Sequence, residues 1–268
     1  MDEQQDLPKP VRVAIVGCGE LSAYAVYSLF NSEEIEELIL IGECPDRLIE
    51  RVSDLQRADS NASPATYRKG SIGDAARAEI VIIGSEADNP PADIAHESQR
   101  VKAIARQLVD LGFDGVLLIT VEPVDAMLRT AIETPLSATS VIGLGTQSYN
   151  DHDRPVGTSV WCTGAVDDVP FTDLCDPECP YFPKVLEGSR RYWSMASSLS
   201  DVSQGDVAIC VTRVCEAILS SRRTLIPLWT VGPDGVPRYS TQIAGNGQVS
   251  PAAPVAFGDP NKESVEVA

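Results

Sequence analysis

The sequence predicts an α/β fold, a doubly wound parallel sheet with helices on both of its faces. Short apolar runs rich in β-branched residues alternate with longer segments whose apolar residues recur at helical spacing. Regular alternation of this kind favours a parallel sheet with right-handed crossovers. The first apolar run, VRVAIV, ends in Gly17-Cys18-Gly19, and a run of that length bounded by glycine is typical of a buried parallel strand.

Five strands with intervening helices are predicted in the first half of the chain. The strands are 11–16, 38–41, 79–84, 115–121 and 140–143, and the helices are 20–31, 46–58, 95–111 and 125–133. Beyond residue 145 proline and glycine predict loops at 146–159 and 172–183. A helix at 204–220, a strand at 224–231 and a turn at 232–235 follow.

Composition and charge restrict the classes of partner. The 268 residues are 43% hydrophobic, as in an ordinary globular protein, and 39 acidic against 21 basic residues give a formal charge of −18. A negative field of this size repels nucleic acid and anionic membrane surfaces, so we expect neither as a partner. The polar start MDEQQDLPKP lacks a secretory core, and no apolar run approaches bilayer length, so we expect a cytoplasmic protein.

The seven cysteines are expected to be reduced thiols in that compartment. Cys175 and Cys179 have a spacing that suggests a metal hook, but a zinc site needs about four ligands. The two histidines, His96 and His152, are distant from them in the sequence. We therefore predict no metal site.

A glycine loop follows the first strand and opens the first helix. In Gly17-x-Gly19-x-x-Ser22 the first glycine permits a tight turn, and the second lets the backbone approach a pyrophosphate. That pyrophosphate would lie at the helix N-terminus, near the backbone of Glu20 and Leu21. The strand–turn–helix context predicts a dinucleotide site, with NAD as the cofactor.

The end of the second strand leaves two interpretations open. NAD sites usually have an acidic residue there to hold the ribose hydroxyls, but Gly42 stands at that position and Glu43 comes one residue later. Either Glu43 substitutes for the acidic residue, or it is a solvated loop glutamate.

Several segments together resemble the lactate/malate dehydrogenase family. They are VRVAIVGCGEL, residues 54–56, GDAARAEIVIIG, GFDGVLLITVEPVD and VIGLGT, in the family's order between residues 11 and 147. The Gly-Glu-Leu loop is also similar to the dehydrogenase-like domain of ubiquitin-conjugating-enzyme-variant fusion proteins, although no ubiquitin-conjugating module is present. The resemblance implies a Rossmann-type sheet followed by a shortened α+β dehydrogenase-like C-terminal domain.

Four regions follow from these observations. We predict a polar N-terminal tail at 1–10, a dinucleotide-binding domain at 11–147, a truncated dehydrogenase-like domain at 148–240 and a flexible tail at 241–268. The resemblance also implies a homo-oligomer.

The catalytic groups that the resemblance implies are largely replaced. Glu122 stands where the family has a substrate-binding asparagine, and the loop at 85–93 has no arginine. Arg100 lies too far along the next helix to replace that arginine easily. Val166 stands where the family has its acid/base histidine, and valine carries no proton.

Three functions remain open on these grounds. The favoured one is an NAD-binding pseudoenzyme, because several lost groups that act as a unit are hard to replace. An active NAD-dependent oxidoreductase on a small 2-hydroxy or 2-keto acid would need rearranged residues. Its candidates are His152 as acid/base, Arg154 as substrate clamp and Asp151 beside them. The third is a fold used only for protein contacts.

Overall fold

Parallel strands form the centre of the structure, with helices on both faces. The computed structural model describes residues 10–58, 65–88, 93–137, 140–144, 165–166, 169–170 and 204–251. In the order of the chain the elements are β1 (Arg12–Val16), α1 (Glu20–Phe30), β2 (Glu37–Ile41), α2 (Pro45–Ala58), β3 (Thr66–Lys69), α3 (Ile72–Ala75), β4 (Ile80–Ile83), α4 (Ile94–Asp110), β5 (Val116–Ile119), α5 (Val124–Ile132), β6 (Val141–Gly143), β7 (Ala165–Val166), β8 (Val169–Pro170), α6 (Gln204–Leu219), β9 (Thr224–Val231), β10 (Pro237–Gly245) and β11 (Gln248–Pro251).

The parallel part of the sheet has the strand order β3-β2-β1-β4-β5-β6. This is the order of a Rossmann-type doubly wound sheet, so the predicted fold class is confirmed. The direction of winding reverses between β1 and β4. The carboxyl ends of these two strands therefore open a crevice at one edge of the sheet, where such folds bind their ligands.

Both faces of the central strands are buried, which explains their continuous apolar sequences. Successive residues of β1 alternate between two apolar clusters, with Val13 and Ile15 on one face and Ala14 and Val16 on the other. The first cluster includes side chains of α1, α2 and α6, and the second includes side chains of α3, α4 and α5. The sheet thus has a helical layer on each side.

Helix α6 covers α1, although the two are far apart in the sequence. Its apolar side chains on this face are buried: Val207, Ala208, Val211, Val214, Cys215 and Ile218. Full burial of a valine or isoleucine side chain is worth roughly 1.5–3 kcal/mol. Helix α6 is therefore a structural part of the same core as the first half of the chain.

Three antiparallel strands extend the sheet beyond β6. Strand β9 pairs with β6 through Gly143 and Trp229, β10 pairs with β9, and β11 pairs with β10. Residues 241–251 of the predicted flexible tail at 241–268 lie instead in β10, β11 and the turn between them. Asn246 and Gly247, both at positive φ, form the turn between β10 and β11, and sequence reasoning missed this hairpin signal.

The predicted boundary at residue 147 does not separate two sheets in the described residues, because β9 continues the sheet from β6. The prediction also omitted β3 and α3. Strand β3 has the sequence TYRK and is mostly exposed at the sheet edge, so it lacks the apolar run that marks the inner strands. The other predicted helices and strands agree with the structure to within about two residues at each end.

Candidate functional site

The glycine loop connects β1 to α1 at the crevice. Gly17 has φ +134°, a conformation that side chains disfavour, and its N–H donates to the Ile41 carbonyl at 2.8 Å. A Cβ atom on Gly17 would lie 2.5 Å from the Gly84 carbonyl oxygen. The first glycine is therefore required by the turn and by the close approach of β4.

Ser22 occupies the third position of the glycine pattern and is buried in the first turn of α1. A Cβ on Gly84 would lie 2.7 Å from the Ser22 hydroxyl oxygen, so glycine at 84 leaves room for this serine. Helix α1 therefore packs closely against the end of β4 although the third position is serine, because Gly84 has no side chain.

The segment at 85–88, which we name the acidic loop, lies against the glycine loop. The Gly19 N–H donates to the Ser85 carbonyl at 2.8 Å, and a Cβ on Gly19 would lie 2.8 Å from the same oxygen. The Ala87 carbonyl oxygen is also adjacent to this position. In a dinucleotide site the bare side of the second glycine faces the pyrophosphate. In this conformation the acidic loop fills that space.

Asp88 places a carboxylate at the N-terminus of α1. It accepts a hydrogen bond from the Glu20 N–H and makes two hydrogen bonds with Arg51 of α2, at 2.6 and 2.7 Å. The Arg51 guanidinium lowers the pKa of Asp88. An anion in this position is stabilised by the unpaired N–H groups of the helix end and by the helix dipole.

Glu86 follows β4 in the chain, and its carboxylate lies at the end of β2. Its carboxylate accepts the Glu43 N–H at 3.2 Å, and a Cβ on Gly42 would lie 3.0 Å from the same carboxylate oxygen. Glu43 itself has an exposed side chain. The structure therefore brings the carboxylate of Glu86 to the end of β2, where an acidic residue usually holds the ribose, and sequence reasoning did not consider Glu86.

Arginines from two helices hold the acidic loop. Arg47 of α2 donates to the carbonyls of Cys18, at 3.1 Å, and Glu86, at 2.7 Å. Arg100 of α4 pairs with the buried carboxylate of Glu97, donates to the Gly84 carbonyl, and lies 3.6 Å from the Glu86 carboxylate. Arg100 is thus engaged at the base of the acidic loop and does not project as a free cation.

Cys18 is buried in the glycine loop. Burial raises the pKa of its thiol to about 11, with a further contribution from the Glu86 carboxylate. At neutral pH it is therefore a protonated packing residue and a weak nucleophile.

The predicted catalytic residues Asp151, His152 and Arg154 lie outside the described residues, as do Cys175 and Cys179. Val166 lies in the short strand β7. His96 is exposed in the first turn of α4, where its backbone N–H donates to the Asp93 carboxylate. Glu122 follows β5 and is partly buried, and its peptide bond to Pro123 is cis.

Neither a membrane span nor a metal cluster is found in the parts of the chain that the structure describes. No described helix has the length and apolar character needed to cross a bilayer. No group of three or more histidine, cysteine, aspartate or glutamate side chains among those residues is arranged to hold a metal ion.

The sequence is similar to L-lactate dehydrogenases. It is 30% identical to the L-lactate dehydrogenase of Staphylococcus epidermidis over 142 residues, which are 50% of this chain and 45% of that protein. It is 28% identical over the same length to L-lactate dehydrogenase 2 of Staphylococcus aureus, covering 44% of that protein. The matches thus span somewhat less than half the length of these relatives. No model of a known protein family matches the chain.

The fold agrees with that similarity. A lactate dehydrogenase from a Medee basin deep-sea metagenome library superposes with a TM-score of 0.63 at 18% identity, covering 90% of this chain and 89% of that one. The chain is thus similar in sequence and in fold to lactate dehydrogenases. The minor L-lactate dehydrogenase from Enterococcus mundtii, in its ligands-bound form, gives a TM-score of 0.64 at 16% identity and covers 92% of the dehydrogenase-like chain and 91% of its own.

The glycine loop and the start of α1 have the backbone geometry of a dinucleotide site, but the contacts that they make differ from those of such a site. The turn at Gly17, the close approach at Gly19 and the start of α1 fit a bound pyrophosphate. The described position of the acidic loop does not fit a bound pyrophosphate, because the carbonyl and carboxylate oxygens of the loop accept hydrogen bonds from the same N–H groups. The sequence predicted this site only through the spacing of the glycines, which is a local signal. The contacts from Glu86 and Asp88 join residues about forty positions apart.

Proposed function

We propose that this chain is a dehydrogenase-like protein that binds NAD(H) and does not transfer hydride. The observation that carries the proposal is the acidic character of the crevice. Glu86 follows β4 and Glu122 follows β5, at positions where the family resemblance implies an arginine-bearing loop and an asparagine.

Hydride transfer between a 2-hydroxy acid and nicotinamide requires a proton donor and acceptor and a cationic clamp for the substrate carboxylate. Glutamates that follow β4 and β5 would repel that carboxylate, because like charges in a partly buried crevice interact strongly. Val166 at the position of the family's histidine removes the proton carrier as well. Loss of both groups argues against retained turnover.

The dinucleotide part of the proposal is supported by the glycine loop. Its two glycines and the first turn of α1 have the arrangement that binds a pyrophosphate in Rossmann-type folds. At Gly19 the absence of a side chain leaves the backbone open to close approach, which the acidic loop uses in this conformation and a pyrophosphate would use in the bound state.

A turnover screen tests the loss of chemistry. Purified protein is mixed with NADH and a panel of 2-keto acids, and with NAD and the matching 2-hydroxy acids, while absorbance at the nicotinamide band is followed. We expect no change above that of the buffer. Turnover that disappears in His152→Ala would overturn the proposal and establish an active enzyme with rearranged residues.

A titration followed by nicotinamide fluorescence tests the binding. We expect saturable NADH binding that Gly19→Val abolishes, since the new side chain enters the space of the pyrophosphate. Gly73→Val is the matched control, because Gly73 lies in α3 and a Cβ there meets only the Ser71 hydroxyl at an ordinary 3.5 Å. Equal binding by wild type and Gly19→Val would show that NADH does not bind at the glycine loop and would overturn the assigned site. No binding up to millimolar NADH would leave a fold used only for protein contacts.

A further inference from the structure

Oxygen atoms of the acidic loop accept hydrogen bonds from three backbone N–H groups at the crevice. The Gly19 N–H donates to the Ser85 carbonyl, the Glu20 N–H to the Asp88 carboxylate, and the Glu43 N–H to the Glu86 carboxylate. Two of these donors border the expected pyrophosphate position, and the third borders the expected ribose position. The loop therefore supplies oxygen acceptors in the places where a dinucleotide would supply its own.

The cationic side chains around the crevice are engaged in the same way. Arg51 binds both oxygens of Asp88, and its geometry suits a phosphate as well as a carboxylate. Arg47 donates to the Glu86 carbonyl, and Arg100 lies beside the Glu86 carboxylate. Displacing the acidic loop would free a guanidinium fork next to the N-terminus of α1.

The side-chain contacts of Asp88 and Glu86 that hold the acidic loop in the crevice can be replaced by contacts of a ligand. The side chains of Arg51 and Asp88 are 32% and 42% exposed, so water and salt weaken their attraction. The Glu86 contact to Glu43 is a single hydrogen bond near the surface. A dianionic ligand that makes the same bonds can therefore compete for these two contacts.

We propose that the acidic loop is an internal competitor of the dinucleotide: Glu86 and Asp88 occupy its ribose and phosphate contacts, and binding transfers Arg51 from Asp88 to a phosphate of the ligand. This inference rests on the proposed function, since it requires a dinucleotide ligand. It assigns Arg51 as a phosphate-binding residue and makes the observed affinity equal to the intrinsic affinity multiplied by the fraction of molecules with the loop displaced.

The test compares Glu86→Gln/Asp88→Asn with wild type in NADH titrations. Both substitutions keep the size of the side chain and remove its charge. The hydrogen bonds to Arg51 and to the Glu43 N–H are therefore weakened, because a neutral amide oxygen is a weaker acceptor than a carboxylate. We expect binding about tenfold tighter or more in the double variant, because the closed state no longer competes. Adding Arg51→Ala to the double variant should remove most of this gain.

The matched control is Asp110→Asn/Asp114→Asn. It removes the same two charges from exposed positions at and beyond the far end of α4, a 17-residue helix about 25 Å long. Equal tightening in this control would reduce the effect to net charge and overturn the proposal. Hydrogen exchange of the Gly19, Glu20 and Glu43 amides supplies a second measurement without ligand, and we expect faster exchange in the double variant only.

The outcomes separate the two proposals. If wild type and the double variant bind NADH equally, or if the three amides exchange at the same rate in both, the competition is overturned while NADH binding by the wild type stands. If neither protein binds NADH although the amides exchange faster in the double variant, the dinucleotide function fails and the competition fails with it.

Discussion

The Cys18 thiol belongs to the glycine loop and lies beside Gly42 and the Glu86 carboxylate, so its reactivity is a probe of the crevice. Burial raises its pKa from the ordinary 9.0 to about 11, while Cys44 is exposed. A raised pKa means that the folded state favours the neutral thiol. Its contribution to stability is complete below pH 9 and is lost as the pH rises through about 11.

We expect iodoacetamide to label Cys44 rapidly at pH 8 and Cys18 slowly, because alkylation requires the thiolate. Peptide mass spectrometry measures both rates in one sample. Urea unfolding provides the pH test: the stability advantage of wild type over Cys18→Ala should shrink between pH 9 and pH 11. A stability difference between wild type and Cys18→Ala that stays constant from pH 9 to pH 11 would contradict the raised pKa of Cys18.

At the level of elements, helix α6 packs extensively on α1. Ile218 is fully buried against the first apolar cluster, whereas Ile209, on the same helix, is 51% exposed. We expect Ile218→Ala to lower the free energy of unfolding by about 2–5 kcal/mol, because the truncation leaves a cavity. Ile209→Ala is the control and should change it by less than about 0.5 kcal/mol. Equal effects in urea unfolding would show that α6 does not pack as described.

The elements that sequence reasoning predicted are those whose signal is local. Buried strands such as β4, IVII, are recognisable because both faces are apolar, and α1 is recognisable because the glycine loop precedes it. Strand β3 was missed because an exposed edge strand can be polar throughout. The hairpin of β10 and β11 was missed because a polar, proline-containing segment resembles a tail.

The contacts of the site were less predictable for a different reason. Gly17 and Gly19 could be assigned because the turn they allow depends on neighbouring residues. The pairing of Arg51 with Asp88 depends on how the acidic loop folds back, and no periodicity encodes it. Glu43 was therefore the candidate for the ribose position, whereas Glu86, from another loop, also places its carboxylate beside Gly42 and the Glu43 N–H.

The whole molecule is organised around one sheet that uses both halves of the chain. Because α6 covers α1, and β9 extends the sheet from β6, residues 1–147 lack part of their own core. We expect this fragment to associate or aggregate, since it exposes a contiguous apolar face. Size-exclusion chromatography and circular dichroism check this result, with the full chain as the control. A monomeric fragment with the thermal midpoint of the full chain would contradict it.

The pairing of α1 with α6 also has a consequence for biosynthesis. About 190 residues separate the end of α1 from the end of α6. At translation rates of about 5–20 residues per second, about 10–40 seconds pass before the covering helix leaves the ribosome. During that interval the apolar face of α1 is open to water in the nascent chain. Chaperones that bind exposed apolar helices would meet this segment first, and the speed of elongation through the middle of the message sets how long they must hold it.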